Sequence, residues 1–222
     1  ADLSVDPDNP IVGTRSFGPH PSVVARQMTA WILGCRAGGA LSCVKHFPGH
    51  GRTTTDSHLA LPTVRAPKRS LAQDLAPFAA AVEAGVPTVM TAHVAYPALD
   101  ASGVPATLSS RILGDLLRRQ LGFDGLVVSD AMNMGGVADA AGGRVAGIRA
   151  VAAGVDALLH PDDPEALAVA LDGAMPGALA PARRADALRR VALAADRAAA
   201  LVPGEAAGAL ASTRHGAQPS MP

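Results

Sequence analysis

Charge of a prevailing sign is the first thing this chain lacks. Nineteen Lys and Arg side chains balance nineteen Asp and Glu, so bulk charge gives no support for nucleic acid or an anionic membrane as a partner. Cysteine is nearly absent. The two that occur, Cys35 and Cys43, lie too close to the same predicted strand to form a disulfide framework and read as free, buried thiols. No apolar run reaches the roughly 18 residues of a membrane helix. Nor does a basic-then-apolar signal pattern follow Ala1. Aromatic residues make up 3%, charged residues 17% and apolar residues 49% of the 222 positions. That balance fits a soluble globular chain rather than a disordered one, long enough for one domain with a full core.

What is present is an alternation. Ala1 to Asp6 resembles the tail of a strand, and Pro7, Asn9-Pro10 and Gly13 then form an irregular segment carrying Arg15, Ser16 and Phe17. His20-Pro21-Ser22 reads as a helix entry, with Ser22 as a candidate cap and Val23, Val24, Gln27, Met28, Trp31 and Ile32 as the helical stripe, stopping by Gly34. Leu41–Val44 reads as a short buried strand. Helical spacing returns over Leu71–Ala84 and Ser109–Leu121, each closed by Gly, and over Val145–Ala153. Strands are expected at Val86–Val94, Gly125–Ser129 and Val155–Leu159. Asp163-Pro164-Glu165 opens a further helix by the proline-at-first-turn rule, and Ala182–Leu201 is the last. Repeated βα units of this kind specify an α/β fold with a parallel sheet. About four to five units are present, where a closed (β/α)8 barrel needs eight strands. The catalytic unit is expected over 1–202, as a partial barrel. Residues 203–222, rich in Pro, Gly, Ala and Ser, are expected to be a disordered tail.

The chemistry concentrates in Lys45-His46-Phe47-Pro48-Gly49-His50-Gly51 and the following Arg52-Thr53-Thr54-Thr55-Asp56-Ser57-His58. Lys45 and His46 are expected where the first strand ends, with the rest on a solvent-exposed, movable loop. Asp56 and His58, two apart in an extended loop, can point the same way, so that the carboxylate holds the imidazole as an acid/base dyad. Asp130, at the C-terminal end of an apolar strand, can stay ionised and attack an electrophilic carbon, though an aspartate there also serves as a turn former. Two alternatives stand beside this. His46, His50, Asp56 and His58 could ligate a metal, although their spacings match no standard zinc pattern. Lys45 could be a Schiff-base lysine. Gly49-His50-Gly51 and Gly142-Gly143 are not phosphate loops, because no Gly-Lys-Ser/Thr follows. Met132 and Met134 read as packing.

Lys-His-Phe-Pro-Gly-His-Gly, four residues, then Asp-Ser-His resembles the signature of family 3 glycoside hydrolases, in the β-N-acetylhexosaminidase branch. Asp6-Pro7 through Arg15-Ser16-Phe17-Gly18, Met90–Val94 and Val128-Ser129-Asp130 agree with it in order, so the resemblance spans about residues 1 to 200. It implies a (β/α)8 barrel and retention of anomeric configuration through a covalent glycosyl-enzyme. By position, Asp130 resembles the nucleophile, His58 the general acid/base and Asp56 its partner. Arg15, Lys45 and His46 match positions that hold the sugar. The implied substrate is a terminal N-acetylglucosamine of peptidoglycan or chitin-type fragments, with no metal and no cofactor. Some relatives with this histidine are phosphorylases, which makes phosphate an alternative acceptor to water. Relatives occur both in the cytoplasm and exported to the envelope.

Members of the family carry more than a hundred residues before the Asp6-Pro7 region, supplying the first barrel strands and an acidic residue for the sugar. The expectation is therefore a truncated chain. It would keep its chemical residues but be inactive, or active only if something else closes the sheet.

Overall fold

The computed structural model describes residues 1–137 and 142–201, and the tail expected over 203–222 lies outside them. Four strands form one parallel sheet in chain order: β1 (Cys43–Phe47), β2 (Thr88–Thr91), β3 (Leu126–Ala131) and β4 (Ala157–Leu159). Helix α1 (Pro21–Ala37) precedes β1, α2 (Lys68–Glu83) precedes β2, α3 (Arg111–Gln120) precedes β3 and α4 (Gly143–Ala153) precedes β4. Helices α5 (Pro164–Gly173) and α6 (Pro181–Leu201) follow. This is an α/β fold of barrel type with four βα units, an open half of the eight-stranded closure.

The two sheet faces differ. Val44 pairs with Val89 and Val89 with Val127, and all three are buried. They share one core with Met28 and Ile32 of α1, Leu71 and Phe78 of α2, and Ile112, Leu113 and Leu117 of α3. Each such side chain contributes about 1.5–3 kcal/mol of burial. Phe47 meets Phe78 edge to face, with ring centroids 5.2 Å apart. On the opposite face Cys43 and Lys45 are exposed and Val128 and Asp130 only half buried.

Several boundaries differ from expectation, for identifiable reasons. β1 starts later than Leu41 and runs through Phe47, so Lys45 and His46 lie within the strand rather than just past an end at Val44. A polar His46 can be buried within the strand because Asp2 satisfies it. The fifth strand expected from the N-terminal stub is not formed. Residues 1–6 contain no strand, and they reach β1 through the Ala1 backbone nitrogen on the Lys45 carbonyl (2.7 Å) and through the Asp2 side chain. β2 is shorter than Val86–Val94 and β4 starts at Ala157. Helix α1 passes Gly34, Ser22 is not its cap because Pro21 takes the first helical position after His20, and Trp31 is 63% exposed. Cys43 is free but exposed, not buried. α3 is wound with the wide π pitch, Leu121 N–H donating to the Leu116 carbonyl. α5 opens with Pro164 in its first turn as expected, and Asp163 caps it, Oδ1 accepting from Ala166 N–H at 2.9 Å.

Candidate active site

Parallel strands bring their C-terminal ends to one rim, and the polar groups of this chain gather there. The sheet register is irregular at that rim, between Val44 and Phe47 on β1 and between Val128 and Ala131 on β3. Such irregularities re-aim side chains next to sites. In the second gap Ser129 Oγ takes the place of a ladder partner, accepting from Leu159 N–H at 2.9 Å.

His46 stands between two carboxylates. Its Nδ1 lies 2.6 Å from Asp2 Oδ2 and its Nε2 3.7 Å from Asp130 Oδ2. Asp2 is fully engaged, because its Oδ1 also accepts from the backbone N–H groups of His46 (3.0 Å) and His50 (2.7 Å). Burial alone would raise the Asp2 carboxyl, but the charge and hydrogen bond of His46 and the His50 amide hold it far below the usual carboxylate range. The Asp130 side chain, by contrast, is 18% exposed and faces the open rim. Its nearest backbone tie is Ala131 N–H on Oδ1 at 2.9 Å.

Asp56 and His58 form the expected pair. Asp56 Oδ1 lies 2.7 Å from His58 Nδ1 and accepts from His58 N–H at 2.9 Å. These two bonds, the backbone one first, keep the Asp56 carboxyl ionised below its ordinary value. The His58 ring is 58% exposed, and its Nε2 has no hydrogen-bond partner among the described residues. The dyad is attached to the Asp130 side of the sheet: Gly135 N–H donates to the His58 carbonyl and Gly136 N–H to the Ser57 carbonyl, each at 3.0 Å. The expected movable loop is thus tied by its backbone at 57 and 58. Thr53, expected at the surface, is buried and bonded to His50 and Asn9.

The remaining candidates divide. Lys45 is exposed on the sheet face that carries Asp130. A Schiff-base lysine is activated by desolvation, which that exposure does not provide. Arg15 is not drawn into the cluster. Its guanidinium folds back on the Ile11 carbonyl, at 2.9 and 2.6 Å. The four residues considered as metal ligands do not converge: His46 is held by Asp2, His50 by Thr53 and Ser57, and His58 by Asp56. Among the described residues no group of three or more His, Cys, Asp or Glu side chains is placed to hold a metal ion.

Sequence reasoning missed Asp2, whose role is visible only once residue 46 is brought beside it. It also missed why Gly51 closes the motif: a Cβ there would stand 1.6 Å from the Leu3 carbonyl oxygen. His93 falls inside the expected strand Val86–Val94, where nothing local marks it as a site residue. It is buried, with Nδ1 2.7 Å from Thr107 Oγ1 and Nε2 donating to the Ala131 carbonyl at 3.0 Å, directly beside Asp130. Met132 and Met134 are buried, as packing requires.

Residues 1–194 match the glycosyl hydrolase family 3 N terminal domain. The chain belongs to that family. It is 42% identical over 172 residues to beta-hexosaminidase A of Pseudoalteromonas piscicida, covering 72% of this chain and 29% of that protein. It is 43% identical over 178 residues to a beta-hexosaminidase of Thiobacillus denitrificans, covering 78% and 48%. Among solved structures, a family 3 beta-N-acetylglucosaminidase from Paenibacillus sp. str. FPU-7 superposes with a TM-score of 0.85 at 36% identity, over 100% of this chain and 40% of that one. A beta-glucoside phosphorylase bound to 2FGlc gives 0.86 at 27% identity, over 93% and 40%. The chain therefore spans half or less of the length of these relatives.

Proposed function

We propose that this chain carries the catalytic rim of a retaining glycosidase that releases terminal β-linked N-acetylglucosamine from peptidoglycan or chitin-type fragments, with residues 1–202 as the catalytic unit. The observation that carries the reading is the shared rim. Asp130 and His46 approach within 3.7 Å, and the backbone beside the Asp56–His58 dyad is bonded to residues 135 and 136 just beyond Asp130. The names of the relatives supply the sugar.

In this mechanism the Asp130 carboxylate attacks the anomeric carbon while His58 gives a proton to the departing glycosidic oxygen. One C–O bond breaks, a glycosyl ester forms on Asp130, and the aglycone leaves as an alcohol. Water then attacks the same carbon, His58 takes its proton, and the carboxylate is released. Asp56 stabilises the imidazolium from which the first step starts and to which the second returns; in the glycosyl-enzyme between them His58 is neutral and serves as the base. Lys45, His46 and Arg15 hold the sugar hydroxyls, with Arg15 having to turn away from the Ile11 carbonyl to do so.

The test uses aryl β-N-acetylglucosaminides. A 2-fluoro-sugar inactivator is expected to label Asp130, and Asp130→Ala to abolish turnover; ordinary hydrolysis by that variant sinks the assignment. For His58→Ala the expected loss is about 10²–10⁴-fold with a poor leaving group and much smaller with a good one. Equal losses count against the acid role. The phosphorylase neighbour favours a second reading, in which phosphate replaces water in the second step. It fits a dyad whose neutral imidazole repels an anion less than a carboxylate would. A sugar 1-phosphate formed in phosphate buffer is its signature, and free sugar alone excludes it.

A further inference from the structure

The 57–59 backbone, which carries the Asp56–His58 dyad, lies directly on residues 135 and 136, just beyond Asp130 in the chain, and both of those residues are glycine. A Cβ on Gly135 would stand 2.6 Å from the Leu59 carbonyl oxygen and 3.1 Å from that of His58. A Cβ on Gly136 would stand 2.9 Å from the Ser57 carbonyl oxygen, 3.0 Å from the His93 carbonyl oxygen and 3.2 Å from the His93 Cβ. The obstacles at Gly136 include two backbone carbonyls that no rotamer change can move. Three segments of chain therefore meet at this point: the dyad loop, the continuation of β2 at His93 and the turn that follows β3. The two amide bonds at 3.0 Å form only at that distance of approach.

We infer that Gly135-Gly136 is the docking point that sets the position of the acid/base dyad over Asp130, so that these two glycines are positioning residues for the protonation step. The inference rests on His58 being the acid/base. A methyl group at 135 meets only the Leu59 and His58 carbonyls, so it displaces the dyad loop outward while leaving β3 and Asp130 in place. Proton donation then suffers, whereas nucleophilic attack by Asp130 does not. A misplacement of about 1 Å costs on the order of 100-fold in rate.

The experiment compares Gly136→Ala and Gly135→Ala with the unmodified protein and with His58→Ala, using a poor and a good aryl leaving group. Both alanine variants are expected to lose about 100-fold with the poor leaving group and less than about 3-fold with the good one, following the selectivity of His58→Ala. Hydrogen exchange provides a reading that needs no turnover. Peptides covering 54–60 and 132–137 are expected to exchange faster in Gly135→Ala, while those covering the β1–β2 core stay protected. Unchanged exchange at both peptides, or equal losses with both leaving groups, overturns the docking role. If His58→Ala itself shows no leaving-group selectivity, the acid/base assignment has failed. If it shows selectivity and the glycine variants do not, only the docking inference has failed. Exchange lost throughout the core in both variants would mark the glycines as general packing residues and also overturn it.

Discussion

His50 is an imidazole of the polar cluster that the proposed chemistry does not use. It is buried, with Nε2 3.0 Å from Ser57 Oγ and Nδ1 2.9 Å from Thr53 Oγ1. Desolvation pulls it below the ordinary imidazole value despite the nearby Asp2 charge. The folded state therefore prefers His50 neutral, while the unfolded chain takes up a proton near pH 6.5. Below that pH the unfolded state binds more protons, so the stabilising contribution is fully present above 6.5 and is lost as pH falls through the folded value. Asp74, raised by burial, acts in the opposite sense, so a single-site comparison is required. The stability difference between the wild type and His50→Gln, from urea unfolding, is expected to shrink by up to about 1.4 kcal/mol per pH unit below 6.5. A difference that stays constant from about pH 7.5 to 5.5 would show that His50 is not held neutral. The sequence made this histidine visible as part of a polar cluster but gave no hint of its burial. Its partners and those of His46 include Asp2, more than forty residues away in the chain, and no local pattern encodes such a pairing.

The segment from β1 to the dyad is held at both ends by different means. Its far end rests on residues 135 and 136, and its middle is tied to α2 by Arg52, whose Nε donates to Asp74 Oδ2 at 2.6 Å. Asp74 is buried, and its Oδ1 has no hydrogen-bond partner among the described residues. Removing Arg52 leaves a buried carboxylate without its counter-charge, a loss of about 3 kcal/mol or more. Arg52→Ala is expected to lower the urea midpoint accordingly, and adding Asp74→Asn to recover part of the loss, because the unpaired charge goes with it. A single Arg52 variant within about 0.5 kcal/mol of the wild type would make the tie a surface contact without consequence. At this scale the sequence was most legible where apolar periodicity is strong: all four strands and the six helices lie close to their expected positions. It was least legible at the rim. There polar residues enter β1, and the close approach of Gly135 and Gly136 depends on a loop nearly eighty residues earlier.

Across the whole molecule, charge is used differently at the two ends of the sheet. The C-terminal rim carries Asp130 and the dyad, partly open to solvent. At the opposite end the Asp156 carboxylate, just before β4, is completely buried. Its Oδ2 accepts from Arg118 at 2.7 Å and from Val127 N–H at 2.8 Å, and its Oδ1 pairs with Arg183 of α6. Arg183 also donates to the Val151 and Val155 carbonyls, at 3.0 and 2.9 Å, so one carboxylate joins α3, β3, β4 and α6. In barrel folds chemistry sits at the C-terminal ends of strands, whereas the N-terminal ends serve stability. Substitutions at the two ends should then have separable effects. Asp156→Ala leaves two arginines without their counter-charge and is expected to cost about 3–5 kcal/mol, while kcat/KM measured well below the unfolding midpoint stays within about twofold, since sites this far apart with no shared partner act independently. Asp130→Asn should show the reverse: turnover lost, and the unfolding midpoint unchanged or raised, because the chain no longer has to hold a free carboxylate beside Asp2 and His46. If Asp156→Ala instead altered leaving-group selectivity while remaining folded, the two ends would be coupled through β3 and β4, and the division of labour between them would not hold.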